Sequence, residues 1–387
     1  MFKLSIDDVT PGMVLKQDIY DEKNTFAPLL CEGTRVTAQF LYQLKKRGVM
    51  NLYAQKPFDA PSAINSGRRN PLGTVNVGQK SRSVIAPKTK EEVLKTMKNF
   101  QISLSGLDED AVCEIVNGLD DILGQILSEL PKNYSSQINV FHLHRQSGLC
   151  SDSGDMAAYI YRHALGVAVI SMAIGQYLSL PPDEVLVLGK CASLHDIGMY
   201  LVSEEILQKP ISLRPAEHES IKRHTQLGYR SLIKMSAADE EICEAILLHH
   251  ERIDGSGYPL GLKGNEIPLW SKIIAVADMY DAMTSERFHR HALTPAETCE
   301  FIMGSANRTL EYDIVAALLR RIEFYPVGIC VKLSNGNNAV VMENTRSKLR
   351  PTVRVLDTDY IVDLNARKNL DITILRAVSY QDIIEGR

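Results

Sequence analysis

Imidazole and carboxylate side chains recur along the middle of the chain at intervals of 25 to 32 residues: His163, the pair His195-Asp196, His224, the pair His249-His250, and Asp278. Such spacing puts each group on a separate helix. Mixed nitrogen and oxygen donors suit borderline and hard divalent cations. Two such ions a few ångströms apart can clamp a phosphodiester and draw hydroxide from water near neutral pH. Phosphate-ester hydrolysis is therefore the natural chemistry of the set. A histidine on an apolar helix taken singly is more often a satisfied core residue than a ligand.

The local sequences raise the weight of the set. Leu194-His195-Asp196-Ile197-Gly198 places adjacent nitrogen and oxygen donors at the end of an apolar helix, before a glycine able to end it. His249-His250 close the run Ala245-Ile246-Leu247-Leu248, and Asp278 follows Ile273-Ile274-Ala275-Val276-Ala277. Ionisable groups buried in such surroundings need partners, which metals would supply. Directly after the double histidine comes Glu251-Arg252-Ile253-Asp254-Gly255-Ser256-Gly257-Tyr258-Pro259. Glycine permits close backbone approach there and tyrosine offers a planar face. As a local signal this is a Gly/Pro turn; joined to the ligands upstream, it reads as a loop at the mouth of a metal site.

Together with Ala277-Asp278-Met279-Tyr280-Asp281-Ala282-Met283-Thr284-Ser285, these motifs resemble the HD-GYP family of cyclic di-GMP phosphodiesterases over residues 153 to 325. The resemblance implies an all-helical HD-type domain that hydrolyses cyclic di-GMP to linear pGpG, with further cleavage to GMP left open. It implies metal-ligand roles for His163, His195, Asp196, His224, His249, His250 and Asp278, with His195 and Asp196 catalytic and Asp196 bridging two divalent ions, iron or manganese. Asp254, Gly257 and Tyr258 are the substrate-binding candidates of the loop. Arg287 and Arg290, in Ser285-Glu286-Arg287-Phe288-His289-Arg290, are candidates for phosphate or guanine, which a forked guanidinium suits.

Two positions depart from the family pattern. Met199 stands where the family carries a lysine, which removes a cation near the scissile phosphate. Tyr159, one turn before His163, stands where some members have an acid associated with a third metal, so two ions are expected. Two other readings stay open. One is an HD-type hydrolase of a different cyclic dinucleotide. The other is a catalytically silent cyclic di-GMP receptor or interaction module, which Met199 supports and the full ligand set opposes.

The elements that must position these groups are legible in outline. Apolar residues make up 45% of the 387, enough for sizeable cores, and a formal charge of −4 disfavours binding to a nucleic-acid polymer. Seven cysteines with no close pair indicate neither a disulfide framework nor a zinc ribbon, and suggest a reducing, cytoplasmic setting. The longest apolar run, Ala164 to Gly175, falls short of a bilayer span and reads as a core helix, so no transmembrane segment is expected.

The fold class expected is mainly α. A small α+β module covers residues 1–60, with a helix over Ala38 to Arg47. A flexible basic linker follows over 61–90, carrying Arg68, Arg69, Lys80, Arg82, Lys88 and Lys90 without an acid among them. A helical connector over 91–152 shows three- and four-residue apolar spacing at Val112, Val116, Leu119, Ile122, Leu123 and Ile126, able to pack on a core or to dimerise. The HD-GYP-like domain at 153–325 is expected to carry an N-cap at Asp183. A small β-rich domain closes the chain at 326–387, with strands at Ile329 to Leu333, Ala339 to Met342, Val353 to Val355 and Ile372 to Ile374, and a turn at Ser334-Asn335-Gly336. A homodimer or signalling partner is a further expectation. His142 and His144, with no third ligand nearby, read as ordinary surface or packing residues.

Overall fold

The computed structural model describes residues 84–131, 137–140, 156–207, 209, 214–285, 292–356 and 358–378, together with short strands and scattered positions between 3 and 55. The expected helix near the amino terminus is seen at Leu41 and Lys45, and most of the basic linker, with His142 and His144, lies outside the described residues. In the amino-terminal module, β1 (Lys3–Ser5) and β2 (Val14–Leu15) pair antiparallel with β5 (Asn51–Gln55), while β3 (Ile19–Asp21) and β4 (Asn24–Leu30) form a separate antiparallel pair.

The first long helix, α1 (Pro87–Ser105), begins four residues before the expected start at Glu91. Proline at its first position has the right φ and needs no amide partner there. Its entrance is tied by Glu129, at the end of α2 (Glu109–Glu129), which accepts from the Ala86 amide and the Thr89 hydroxyl, both at 2.6 Å. Asp108 caps α2, accepting from the Ala111 amide at 3.1 Å. The apolar stripe of α2 is buried throughout, from Val112 to Ile126, in the same core as the later helices, so the pair packs on the core.

That core is centred on α3 (Met156–Tyr177). Its sequence is apolar on every side between Ala164 and Ile174, and a helix without a polar face is stable only when surrounded. By length and composition the longer stretch Ala158–Tyr177 around the expected run could cross a membrane, but 89% of its most apolar window is buried inside the protein, as expected of a core helix. Around it stand α4 (Pro182–Leu194), α9 (Leu269–Thr284) and α11 (Tyr312–Arg321), with α1 and α2 on one side. Proline again opens α4: Pro181 is the N-cap residue and Asp183 lies in the first turn, not at the cap. The remaining elements are a 3-10 turn at Ile197–Leu201, α5 (Glu204–Leu207), α6 (Pro215–Lys222), α7 (His224–Met235), α8 (Glu240–Leu248) and α10 (Pro295–Ser305).

Beyond Tyr325 the chain builds a five-stranded antiparallel sheet of order β10-β6-β7-β8-β9, from β6 (Cys330–Leu333), β7 (Asn338–Glu343), β8 (Thr352–Val355), β9 (Ile361–Asp363) and β10 (Ile374–Val378). The Ser334-Asn335-Gly336 turn joins β6 to β7, with Gly336 at φ +88. The last strand starts where the expected Ile372 to Ile374 run ends, because pairing with Leu333 begins at Ile374. One face of the sheet, with Val331, Leu333, Val341 and Val353, shares a buried cluster with Ala296 of α10 and Tyr325. Lys348 ties the sheet to the end of α11, donating to the carbonyls of Leu319 at 2.7 Å and Arg320.

Phe100 and Leu104 on α1 are completely buried. Phe100→Ala should therefore destabilise the protein by about 3–5 kcal/mol in guanidinium unfolding, the usual cost of emptying an aromatic site in a core. Unchanged stability would show that α1 is not part of that core.

Candidate metal centre

The helix α4 ends at Leu194, and Asp196 leaves helical geometry at φ −102 and ψ 10 before the 3-10 turn. The following glycine does not end the helix by a left-handed conformation, as its position suggested. A Cβ on Gly198 would lie 1.9 Å from the His224 carbonyl oxygen and 2.7 Å from the Gly228 amide. Gly198 is there so that the turn after Asp196 can touch the start of α7. That contact places Asp196 Oδ1 3.2 Å from His224 Nε2.

Three of the imidazoles are held by one device. His195 Nδ1 donates to the Ala192 carbonyl at 2.8 Å, His224 Nδ1 to that of Ile221 at 2.8 Å, and His249 Nδ1 to that of Ile246 at 2.6 Å. A carbonyl only accepts, so each Nδ1 carries the hydrogen and, in the neutral ring, each Nε2 presents its lone pair. The Nε2 atoms of His224 and His249 face each other at 3.3 Å, and His195 Nε2 is buried without a hydrogen-bond partner among the described residues. Buried lone pairs so arranged are costly unless a cation or proton lies between them.

His163, on α3, is oriented by carboxylates instead. Its Nδ1 lies 2.7 Å from Asp281 Oδ2, and its Nε2 lies 3.0 Å from Asp278 Oδ1 and 3.7 Å from Asp196 Oδ2. Asp278 and Asp281 stand one turn apart on α9, and Gly166 makes room for the second: a Cβ there would fall 1.9 Å from Asp281 Oδ1. Orientation of a candidate ligand through its other ring nitrogen is what metal sites require of their surroundings. The Tyr159 ring stacks on His163 at 5.4 Å, so an aromatic face occupies the neighbourhood where an acid would otherwise stand.

The seven side chains therefore converge. His163, His195 and Asp196 form one group whose donor atoms lie within 4.8 Å of one another, and Asp196, His224, His249 and His250 form a second. Asp196 belongs to both. Asp278 joins them through His163 and, at 3.8 Å, through His250 Nδ1. The nitrogen and carboxylate donors, the unpartnered Nε2 and the facing lone pairs fit divalent cations.

The charges are set by this crowding. Burial alone would raise the Asp196 carboxyl, but the His195 and His224 imidazoles more than reverse that and hold it well below the usual carboxylate range. Asp278 is likewise lowered, against burial, by its hydrogen bond to His163. Burial pushes His163 down, yet Tyr159 and the two carboxylates of α9 hold it well above the ordinary imidazole value. Burial dominates at His249, which is lowered well below that value, and at His250, which is pushed down to about 3.

The loop after His250 is built on Glu251. Its buried carboxylate accepts from the amides of Leu260 at 2.7 Å, Gly261 at 3.1 Å and Leu262 at 3.0 Å. Gly257 passes so close to that residue that a Cβ would lie 2.4 Å from Glu251 Cα. The result is that the Tyr258 ring stacks on His250 at 4.7 Å. Of the substrate-binding candidates, Tyr258 thus touches a ligand of the centre and Gly257 serves the loop's path. Exposed Asp254 is engaged within its own turn, accepting from the Ser256 amide at 2.9 Å and hydroxyl at 2.7 Å. Arg287 and Arg290 lie outside the described residues. Sequence reasoning missed the roles of Asp281 and Glu251. The signal for Asp281 was its place one turn after Asp278; nothing local marked Glu251 as a loop organiser.

Part of the chain is similar to known proteins. Residues 143–314 match the HD domain family. A cyclic di-GMP phosphodiesterase of Pseudomonas aeruginosa is 37% identical over 198 residues, 51% of this chain and 48% of that protein. A 3'3'-cGAMP-specific phosphodiesterase of Vibrio cholerae is also 37% identical, over 168 residues, 43% of this chain and 39% of that protein. A solved HD-GYP-type protein of Bdellovibrio bacteriovorus aligns with a TM-score of 0.45 and 16% identity, over 82% of this chain and 97% of that one. The helical block is thus similar to HD domains, and the relatives it matches are named as cyclic dinucleotide phosphodiesterases. The chain spans about half the length, or less, of the curated relatives it matches.

Because the carboxylates of α9 shift the His163 imidazole upward, a cation taking its Nε2 competes with a proton. Metal affinity should therefore fall as pH falls, by up to about tenfold per pH unit for each proton released in the binding range. Titration calorimetry in two buffers of different ionisation enthalpy should show net proton release near pH 7. Uptake without release would contradict the charge assignment.

Proposed function

We propose that this chain is a metal-dependent phosphodiesterase that hydrolyses cyclic di-GMP to linear pGpG. The observation that carries the reading is the pair of donor groups sharing Asp196, seated beside a loop whose tyrosine stacks on His250. His163, His195 and Asp196 would hold one divalent cation and Asp196, His224, His249 and His250 a second, with Asp278 completing the set; iron and manganese suit these donors. When bound, such ions polarise a phosphoryl oxygen and lower the pKa of water.

The chain's own residues supply orientation. The pinned Nδ1 atoms fix three rings without adjustment, and Asp281 fixes the fourth. Burial of His195 and His249 keeps bulk water from the inner wall of the centre. Tyr258 offers an edge or face to a base, and Arg287 and Arg290 donors to phosphate or guanine. Hydrolysis adds water across the P–O3′ bond, leaving a 5′-phosphate and a 3′-hydroxyl on the opened dinucleotide.

A second reading, cleavage of another cyclic dinucleotide, is favoured by one observation: the relative named for 3'3'-cGAMP matches at the same 37% identity as the one named for cyclic di-GMP. Met199 favours a third, a receptor that binds without cleaving. We place the chain in a reducing, cytoplasmic setting; Cys113, Cys191, Cys243, Cys299 and Cys330 are free thiols.

Protein loaded with Mn²⁺, or anaerobically with Fe²⁺, should convert cyclic di-GMP to pGpG faster than it cleaves 3'3'-cGAMP. Asp196→Ala should lose metal and at least about 100-fold in hydrolysis, since even residues that only orient ligands cost 10–100-fold. Full activity in Asp196→Ala would remove the centre from the reaction. Binding without cleavage by the wild type would favour the receptor.

A further inference from the structure

A cation stands beside the loop tyrosine of the centre. Lys222 ends α6, two residues before the ligand candidate His224. Its Nζ lies 5.5 Å from the centre of the Tyr258 ring, and that ring stacks on His250 with an interplanar angle of 27°. Lys222 thus stands one aromatic ring out from the donor group that Asp196, His224, His249 and His250 form. Among the described residues its acidic partner is Glu219, at 2.7 Å, and both side chains are largely in solvent, 45% and 64% exposed. An exposed pair of this kind is weak and screened by salt, so an anionic ligand can take the ammonium from it. The ring beneath it attracts a cation without neutralising it.

We propose that Lys222 is a substrate-binding residue that takes the outer phosphate of a cyclic dinucleotide, the one not held at the donor groups around Asp196. The inference rests on the reading above that the ligand is a cyclic dinucleotide. Such a molecule carries two phosphodiesters in one ring. Cations at the centre would neutralise the one to be cleaved, and the other must leave water with a partner of its own. Lys222 is placed for the second role and not the first, because it meets the centre through Tyr258. An ammonium on a long stem, with three donors, follows a phosphate as a point charge. Tyr258 then does two things: it packs on His250, and it parks the ammonium at the entrance between turnovers.

The test uses the full chain with metal bound and compares Lys222→Gln and Lys222→Arg with wild type. Binding of cyclic di-GMP, measured by calorimetry, should weaken roughly tenfold in K222Q, the usual effect of losing one hydrogen bond to a charged group, and largely recover in K222R. The salt dependence of binding should be shallower in K222Q than in wild type. With bis(4-nitrophenyl) phosphate, which has one phosphodiester, K222Q should lose roughly tenfold less in kcat/KM than with cyclic di-GMP. Metal content should match wild type in both variants. Equal affinity in K222Q and wild type, equal losses on both substrates, or lost metal would overturn the assignment to the outer phosphate. A wild type that binds no cyclic dinucleotide would overturn the functional reading and this one with it, whereas tight wild-type binding that K222Q leaves intact would overturn this one alone.

Discussion

A carboxylate set among four imidazoles and largely shielded from water is tolerable only if each charge and lone pair around it is answered. Asp196 is that carboxylate: Oδ1 faces His224 and His249, and Oδ2 faces His163 and His195, at 3.2 to 3.9 Å. Burial would neutralise it, and the surrounding rings keep it ionised. Protons can answer part of this arrangement, which is why His163 and His224 are shifted upward. The buried His195 Nε2, 3.4 Å from Asp196 Oδ2, makes no hydrogen bond among the described residues. Divalent cations would answer all of it.

The scaffold serves this constraint through close approaches. Gly198 lets the turn after Asp196 reach the start of α7, and Gly166 leaves space for Asp281 behind His163. Repeated i−3 carbonyl contacts set the tautomers of three rings, so orientation is written into the helix ends and needs no further side chain. The apolar helix α3 carries His163 through the middle of the core, where movement is most restricted. Glu251 does for the loop what Asp281 does for His163: it spends a buried charge on fixing backbone that in turn seats Tyr258.

The convergence of the site was legible because each ligand candidate lies in a short apolar run that ends or turns at the polar residue, a pattern with no purpose in a simple core. The β-rich end was legible from β-branched runs and the Ser-Asn-Gly turn. What escaped notice was mostly long-range. Gly198 looked like a helix stop from its neighbours alone, while its reason is the carbonyl of His224. Thr89 and Lys90 looked like linker, yet both are buried, and Thr89 is bonded to a carboxylate forty residues away. The short edge strand Ile361–Asp363 has too little apolar pattern to announce itself and exists through pairing with β8. Asp281 was within reach of helical periodicity, one turn beyond Asp278.

The most direct test is a crystal structure of the Mn²⁺-soaked protein with anomalous differences recorded for manganese. The account predicts two peaks, each within bonding distance of an Asp196 oxygen, one beside His163 and His195 and the other beside His224, His249 and His250. Peaks that avoid Asp196, or side chains at full occupancy with no peak among them, would contradict it.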